Sequence, residues 1–250
     1  MNTYQNENIK SDIFWMQKMV RAISSKEKKV FLITFFTILL ARGFRLANYM
    51  PNHDTLWNFC APQDVITSGR WSLVWAAGIS SNYDLQWLNG VISILYIAMT
   101  NIVIIRMFQI KNMLLSCSFG VLLGVYPSVV STFMYMYTAD AYYLAMLLSS
   151  VAAMLILSSR WRRRLAGSVL LGFSIGIYQA YLSVALVLCV LWLIQHLIME
   201  RKSIRIPLFN ALYSTLLGGA FIPGCCIPGC MDESYALCIR IAERVEQLEG

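Results

Sequence analysis

The chain has 250 residues and carries 20 Lys and Arg against 13 Asp and Glu, a formal net charge of +7 at pH 7. Apolar residues make up 58% of it, charged residues only 13%, and its mean hydropathy of +0.59 exceeds that of a soluble domain. The basic residues lie at the ends of apolar runs and form no single basic face, so no nucleic-acid partner is expected. The composition predicts an all-α, polytopic transmembrane protein.

The Lys and Arg residues fall mainly in four clusters that are separated by apolar runs. By the positive-inside rule the clusters mark the cytoplasmic side of the membrane, where they can also contact anionic lipid headgroups. The first 29 residues lack the apolar core of a signal peptide, so we expect the first span to stay as an anchor with a cytoplasmic N-terminus. The clusters occupy residues 10–29, 106–111, 160–164 and 201–205.

Taken in chain order, the apolar runs predict six or seven spans within one membrane domain, residues 30–221, after a cytoplasmic segment, residues 1–29. The alternation stops after Phe221, so we expect residues 222–250 to be an atypical polar tail. Either this is a real cytoplasmic or peripheral tail, or the chain is a truncated or frame-altered version of something longer. The four Cys residues of that tail lack zinc-ribbon spacing. The predicted spans are residues 30–47, 87–105, 113–126, 141–158, two arms within 165–199, and 207–221.

Residues 165–199 carry no Lys, Arg, Asp or Glu, yet both flanks are basic. This segment is too long for one span and short for two, so we predict a hairpin with its outer turn at residues 178–181. The first arm is short, which would place the turn's polar side chains within the membrane. Small residues on that arm should let neighbouring helices pack closely: Gly167, Gly172, Ser174 and Gly176.

The predicted outer connections are residues 48–86, which include an interfacial helix at 71–79, and residues 127–140. They collect four aspartates around one cation, Arg70. A carboxylate can deprotonate a hydroxyl and an arginine can hold a phosphate through a forked pair of hydrogen bonds, which suits an enzyme acting on a lipid-anchored phosphate. Solvated loop charges are the alternative interpretation. The four aspartates are Asp54, Asp64, Asp84 and Asp140.

Asp54 follows the first span closely, at the depth of a lipid phosphate, although it could instead be the N-cap of a helix over residues 55–59. His53 precedes it, but adjacent side chains diverge, so no metal site is expected. Asp140 begins a predicted span and could likewise be only an N-cap.

Gly69 permits a close backbone approach beside Arg70, and Trp71 could stack on a sugar ring or anchor the chain at the membrane interface. Tyr178 and Gln179 are hydrogen-bonding groups within an apolar hairpin, where either protein or ligand must satisfy them. Helix packing and ligand contact both remain open for this pair.

Four motifs in this order resemble those of the bacterial Gtr-type membrane glucosyltransferases, a family linked to glucosylation of O-antigen and related surface polymers. The resemblance covers residues 30–220, although the family commonly has two adjacent acids where His53 precedes Asp54 here. The motifs are Asn52-His53-Asp54, Ser68-Gly69-Arg70-Trp71, Tyr126-Pro127 with Tyr137-Thr138-Ala139-Asp140, and Gly176-Ile177-Tyr178-Gln179-Ala180-Tyr181.

The resemblance implies a GT-C-like enzyme that moves glucose, or a similar hexose, from a polyprenyl-phosphate carrier to a surface glycan on the outer face. Asp54 would be the general base and Arg70 would hold the phosphate. No cofactor is implied, and a divalent cation would be needed less for a monophosphate donor than for a diphosphate donor. A flippase for lipid-linked sugar and an inactive remnant are the alternatives. The remaining substrate-binding candidates are His53, Trp71, Asp140, Tyr178 and Gln179.

Overall fold

The computed structural model describes residues 24–60, 69–158, 160–200, 213 and 215–218, and these residues form helices and no strand. The predicted all-α fold is confirmed. Two 3-10 turns, Gly78–Ser80 and Gln179–Tyr181, interrupt the helices. The helices are α1 (Ser25–Ala47), α2 (His53–Cys60), α3 (Leu73–Ala77), α4 (Gln86–Met107), α5 (Met113–Val125), α6 (Pro127–Thr132), α7 (Met136–Ile156), α8 (Trp161–Ile177) and α9 (Leu182–Glu200).

Four helical segments are long and apolar enough to cross a membrane: α1, α4, α7 and Gln179–Ile198. The polytopic prediction is therefore confirmed. The span predicted at residues 113–126 is the 13-residue helix α5, whose length is about 20 Å at the rise of an α-helix. Of the predicted last span, only residues 213 and 215–218 are described, and they are helical.

The bundle is apolar outside and polar in places inside, as a protein in lipid requires. Leu40 and Phe44 of α1 are 83% and 72% exposed. In contrast, Asn101 of α4 is fully buried, and its amide donates hydrogen bonds to Thr34 Oγ1 at 3.0 Å and to the Ser116 carbonyl at 3.3 Å. These interhelical hydrogen bonds fix α1, α4 and α5 against one another.

The predicted hairpin is present. α8 ends at Ile177, and α9 begins at Leu182 after the 3-10 turn. Small residues bring α8 against α7, since a Cβ atom at Gly167 would lie 2.9 Å from the Ile156 side chain. α9 then runs back along the bundle, where Gln195 donates a hydrogen bond to the Phe108 carbonyl beyond the end of α4. The close-packing role predicted for Gly167 is confirmed.

The bundle has two chemically different ends. α4 and α7 begin at the same end, because the Asn89 amide donates a hydrogen bond to the Met136 carbonyl at 2.9 Å. This end also holds the long connection between α1 and α4, and we call it the loop end. At the opposite end Arg106 pairs with Glu27, and the segment 160–164 follows α7. We call this the basic end.

Candidate active site

The connection between α1 and α4 folds onto the bundle. The interfacial helix predicted at residues 71–79 is present as α3 and the 3-10 turn that follows it. Trp75 and Ile79 are exposed, whereas Leu73 and Ala77 are buried in a cluster with Ala141 of α7. The segment is amphipathic, but the prediction missed that its buried face packs on protein.

Asp54 lies in the first turn of α2 with its side chain 55% exposed. The alternative that it caps a helix is wrong, because Asn52 accepts the capping hydrogen bond from the Thr55 backbone N–H at 2.8 Å. His53 Nδ1 is 3.5 Å from the Asp54 carboxylate, and the His53 side chain is 94% exposed. Asp54 therefore presents a solvent-accessible carboxylate that no observed capping bond occupies.

Arg70 is held by aromatic rings. Its Nη1 donates a hydrogen bond to the Tyr142 hydroxyl at 3.0 Å, and its guanidinium lies 4.6 Å from the centre of the Tyr178 ring. The two tyrosine rings are stacked with their centres 4.6 Å apart. Arg70 Nε is buried without a hydrogen-bond partner, and Arg70 forms no ion pair within the described part of the chain. Among the described residues, no carboxylate pairs with this cation.

Tyr137, in the first turn of α7, connects Asp54 and Arg70 electrostatically. The Tyr137 hydroxyl lies within electrostatic range of both the Asp54 carboxylate and the Arg70 guanidinium. Both charges therefore lie near the same tyrosine, although they are 16 positions apart in the sequence and residues 61–68 between them lie outside the described residues.

Gly69 lets the backbone approach the hairpin turn. Its φ of +77° lies in the left-handed region, and a Cβ atom there would be 2.9 Å from Gln179 Nε2. The backbone at Gly69 therefore approaches Gln179 closely, and close approach of a ligand to this glycine stays a prediction. Since Arg70 follows Gly69 and also contacts Tyr178, both predicted polar residues of the turn lie beside the cation.

Trp71 secures the same loop to α8. A Cβ atom at Gly176 would lie 2.5 Å from the Trp71 ring, and the Phe173 ring is 5.4 Å away between centres. Next to it, the Ser72 backbone N–H donates a hydrogen bond to the Gly176 carbonyl at 3.0 Å. Trp71 thus packs against protein in this structure, and stacking of a sugar on its ring stays a prediction.

Asp140 lies in the second turn of α7 and is 1% exposed. The N-cap alternative is wrong, because the helix begins at Met136. Ser80 Oγ donates a hydrogen bond to Asp140 Oδ2 at 2.6 Å, while Oδ1 is buried without a partner. The alternative of solvated loop charges is also wrong for Asp140 and for Asp84, whose two carboxylate oxygens are buried. Asp140 ties the loop to α7, and substrate contact by it stays a prediction.

Sequence reasoning missed Tyr142 as a member of the site, and it placed Tyr137 in a motif without giving it a role. The partnership of Arg70 with Tyr142 spans 72 positions and leaves no local pattern. A weaker signal exists in α7, where Thr138, Tyr142 and Ser149 are spaced so that they share one helix face. Asp64 lies outside the described residues. Within those residues, no group of three or more His, Cys, Asp or Glu could hold a metal ion.

Residues 43–228 match the family model described as Glucosyl transferase GtrII. The chain belongs to this family. The resemblance inferred from the ordered motifs is confirmed, and the match covers every motif from Asn52 to Tyr181. No curated protein and no solved structure matches the chain.

Membership in the GtrII family makes the protein a membrane-associated glucosyltransferase, which needs a sugar donor and an acceptor. In such an enzyme a base for the acceptor hydroxyl and a cation for the leaving group must lie near each other. Asp54 and Arg70, both within electrostatic range of Tyr137, have the side-chain types that these two tasks need.

Proposed function

We propose that this GtrII glucosyltransferase transfers glucose from a polyprenyl-phosphate carrier to a surface glycan at the outer face of the bacterial inner membrane. The observation that carries the proposal is the Arg70 guanidinium, which is held by Tyr142 and Tyr178 and forms no ion pair with any residue that the structure describes. A guanidinium can donate two parallel hydrogen bonds to a phosphate, which suits a phosphate leaving group.

The proposed step is a direct displacement. Asp54 accepts the proton of the acceptor hydroxyl, and that oxygen forms a bond to the anomeric carbon of glucose. The bond between the anomeric carbon and the phosphate oxygen breaks, and its electron pair leaves with the phosphate. Arg70 stabilises the negative charge that develops there. Attack from the side opposite the leaving group inverts the anomeric configuration.

The remaining predicted residues would position the sugars. Tyr178 and Gln179 border Arg70, so they are placed to orient the glucose next to the phosphate. The exposed His53 would contact the acceptor near Asp54, and Trp71 and Asp140 hold the loop that carries Arg70 and complete the proposed substrate-binding set. The donor carries its own activation, so no nucleotide site or cofactor belongs to the proposal.

The two ends of the bundle support the proposed sidedness. Lys26, Arg106, Lys111 and the segment 160–164 belong to the basic end, which the positive-inside rule assigns to the cytoplasm. The loop end then faces the periplasm, where surface glycans are completed. An acceptor of the O-antigen type and a GT-C-like mechanism are part of this proposal.

The test is glucosyl transfer by the full chain in sealed vesicles, with radiolabelled polyprenyl-phosphate glucose and a surface glycan acceptor. Asp54→Asn should lower kcat by about 10²–10⁴-fold, the usual contribution of a general base. Its thermal unfolding should match that of the wild type, because the Asp54 side chain is 55% exposed.

Transfer should occur with acceptor on the side of the loop end, and nucleotide-linked glucose should not replace the lipid donor. Undiminished transfer by Asp54→Asn would remove Asp54 from the mechanism. Movement of the lipid-linked sugar across the membrane without a new glycosidic bond would instead identify a flippase.

A further inference from the structure

A second pair of charges lies at the loop end, apart from the residues assigned to catalysis. Arg45 is in the last turn of α1 and is only 9% exposed. Its Nη1 donates a hydrogen bond of 3.4 Å to the Asn48 carbonyl, which also accepts one of 3.1 Å from Gln86 Nε2. This shared carbonyl holds the end of α1 against the start of α4. Asp84 lies two positions before Gln86.

Asp84 and Arg45 lie in the same part of the loop end without forming an ion pair among the described residues. Asp84 lies within electrostatic range of Arg45, but no ion pair joins them among the described residues. Arg45 Nε and Nη2 and both carboxylate oxygens of Asp84 are buried without hydrogen-bond partners. Buried charges that lack a direct partner destabilise a fold, and groups of this kind concentrate at functional sites.

Two further groups border the pair. The Tyr49 ring is 53% exposed, and its hydroxyl lies within electrostatic range of both Asp84 and Arg45. Asn89 donates a hydrogen bond from its amide to the Tyr83 carbonyl at 2.8 Å, while its own Oδ1 is buried without a partner. The place therefore combines donors, acceptors and an accessible aromatic ring.

The signs of the charges select the ligand class. A phosphate would pair with Arg45 but would be repelled by Asp84. An ammonium group would pair with Asp84 but would be repelled by Arg45. A hydroxyl group suits both, because its oxygen can accept from the guanidinium while its hydrogen is donated to the carboxylate. Two neighbouring hydroxyls of one sugar would bind at the same time, one accepting a hydrogen bond from Arg45 and the other donating one to Asp84. The Tyr49 ring can pack against the C–H face of such a sugar.

We propose that Arg45, Asp84 and Tyr49 form a subsite for the hydroxyl groups of a neutral sugar, separate from the phosphate position at Arg70. The inference rests on the proposed function, because it supplies a sugar position for glucosyl transfer. The sugar is either the glucose of the donor or a residue of the acceptor glycan. Both present vicinal hydroxyls, so measurement must distinguish the two sources.

The experiment uses the full chain in detergent micelles and measures KM for the lipid-linked donor and for the acceptor glycan separately. Asp84→Asn should raise one of these constants about tenfold, the effect of losing roughly 1.4 kcal/mol of binding, and leave the other nearly unchanged. A raised donor KM assigns the subsite to the donor glucose, and a raised acceptor KM assigns it to the acceptor.

Tyr49→Leu should raise the same Michaelis constant by a smaller factor. Tyr126→Leu is the matched control, since that ring is 62% exposed and is assigned no role in the site.

Equilibrium binding separates this inference from the proposed function. Radiolabelled polyprenyl-phosphate glucose, polyprenyl phosphate without sugar and the acceptor glycan are the probes. Asp84→Asn should weaken binding of one sugar-bearing probe and leave binding of the bare lipid phosphate unchanged, whereas Arg70→Gln should weaken both lipid phosphates. If the wild type makes no glycosidic bond but Asp84→Asn still weakens sugar binding, the transfer proposal fails and the subsite stands.

Unchanged donor and acceptor constants in both Asp84→Asn and Tyr49→Leu would overturn the subsite while leaving the transfer proposal intact. Should Asp84→Asn fail to fold, Tyr49→Leu decides alone, because an exposed ring can be shortened without opening the core. An equal rise in Tyr126→Leu would also overturn the assignment, since it would show a general effect of losing an exposed tyrosine.

Discussion

The two ends of the helix bundle treat their charged side chains in opposite ways. At the basic end, Arg106 Nε and Nη2 donate hydrogen bonds of 2.6 and 3.0 Å to the two carboxylate oxygens of Glu27. Glu27 also accepts from the Ser24 backbone N–H, and Lys26 Nζ donates to the carbonyls of Ile110 and Lys111. These groups fasten α1 to the end of α4.

At the loop end, several buried polar groups are left without a complete set of hydrogen bonds. Arg70, Arg45, Asp84 and Asp140 each have at least one buried polar atom that makes no hydrogen bond within the described residues. A polar group buried without a partner costs about 1–3 kcal/mol. From this difference we infer that the paired charges of the basic end stabilise the fold, and we propose that the incomplete groups of the loop end serve a ligand.

The largest effect that separates the ends is expected at Arg70. Arg70→Gln should lower kcat/KM for the lipid-linked donor by about 10²–10³-fold, the loss typical of removing one donor that stabilises developing charge. Thermal unfolding should change little, because Arg70 has no ion pair among the residues described here. Steady-state kinetics and unfolding in detergent micelles measure the two quantities.

Arg70→Lys tests whether the two parallel hydrogen bonds of the guanidinium matter, since lysine retains the charge but cannot form them. Its activity should lie between those of the wild type and Arg70→Gln. A large loss of stability with normal catalysis in Arg70→Gln would show that Arg70 serves the fold, and the comparison between the ends would then fail.

A smaller effect, on stability and not on catalysis, is expected at the basic end. Glu27→Gln removes the carboxylate that pairs with Arg106, and their side chains are 15% and 26% exposed. The free energy of unfolding should fall by about 1–2 kcal/mol, since hydrogen bonds between charged groups that are partly screened are lost. Denaturant titration in micelles measures the loss, and kcat and both KM values should stay near those of the wild type. A selective change in donor KM would contradict a purely structural role.

Much of the fold could be predicted because apolar runs and basic clusters report directly on the bilayer. The break after Ile177 was predictable, since residues 165–199 are too long for one span and have basic flanks. The helix boundaries were harder to predict from the sequence. α7 begins at Met136 and not near Ala141, because the polar Thr138 and Asp140 are accommodated inside the helix, where Asp140 accepts a hydrogen bond from Ser80.

The candidate site was only partly predictable. Arg70 stood out as the one cation in its loop, but its contact with Tyr142 depends on tertiary packing across 72 positions. Asn52 and Asp54 are both common capping residues, so composition alone could not decide which one caps α2. The unpaired state of Arg45 and Asp84 depends on the fixed positions of α1 and α4, and no sequence pattern encodes a distance between two side chains.

The smallest effect concerns the stability contribution of Asp84, which lies outside the membrane-spanning helices. Burial raises the pKa of Asp84 above its ordinary value of 3.8, and the nearby Arg45 opposes that rise. The folded state therefore holds the proton more tightly than the unfolded state, so ionised Asp84 destabilises the fold above its raised pKa. This penalty should disappear as the pH falls through the raised pKa towards 3.8. Tyr49, the other titratable group near Asp84, has a pKa raised above 10.0 and stays neutral throughout this window.

Asp84→Asn should accordingly unfold at a higher temperature than the wild type at neutral pH. The gain in the free energy of unfolding should be at most about 1 kcal/mol, and the difference should shrink on acidification. Unfolding temperatures of both proteins across this pH range provide the measurement. A variant that is less stable than the wild type at neutral pH would place Asp84 with Glu27 among the charges that hold the fold.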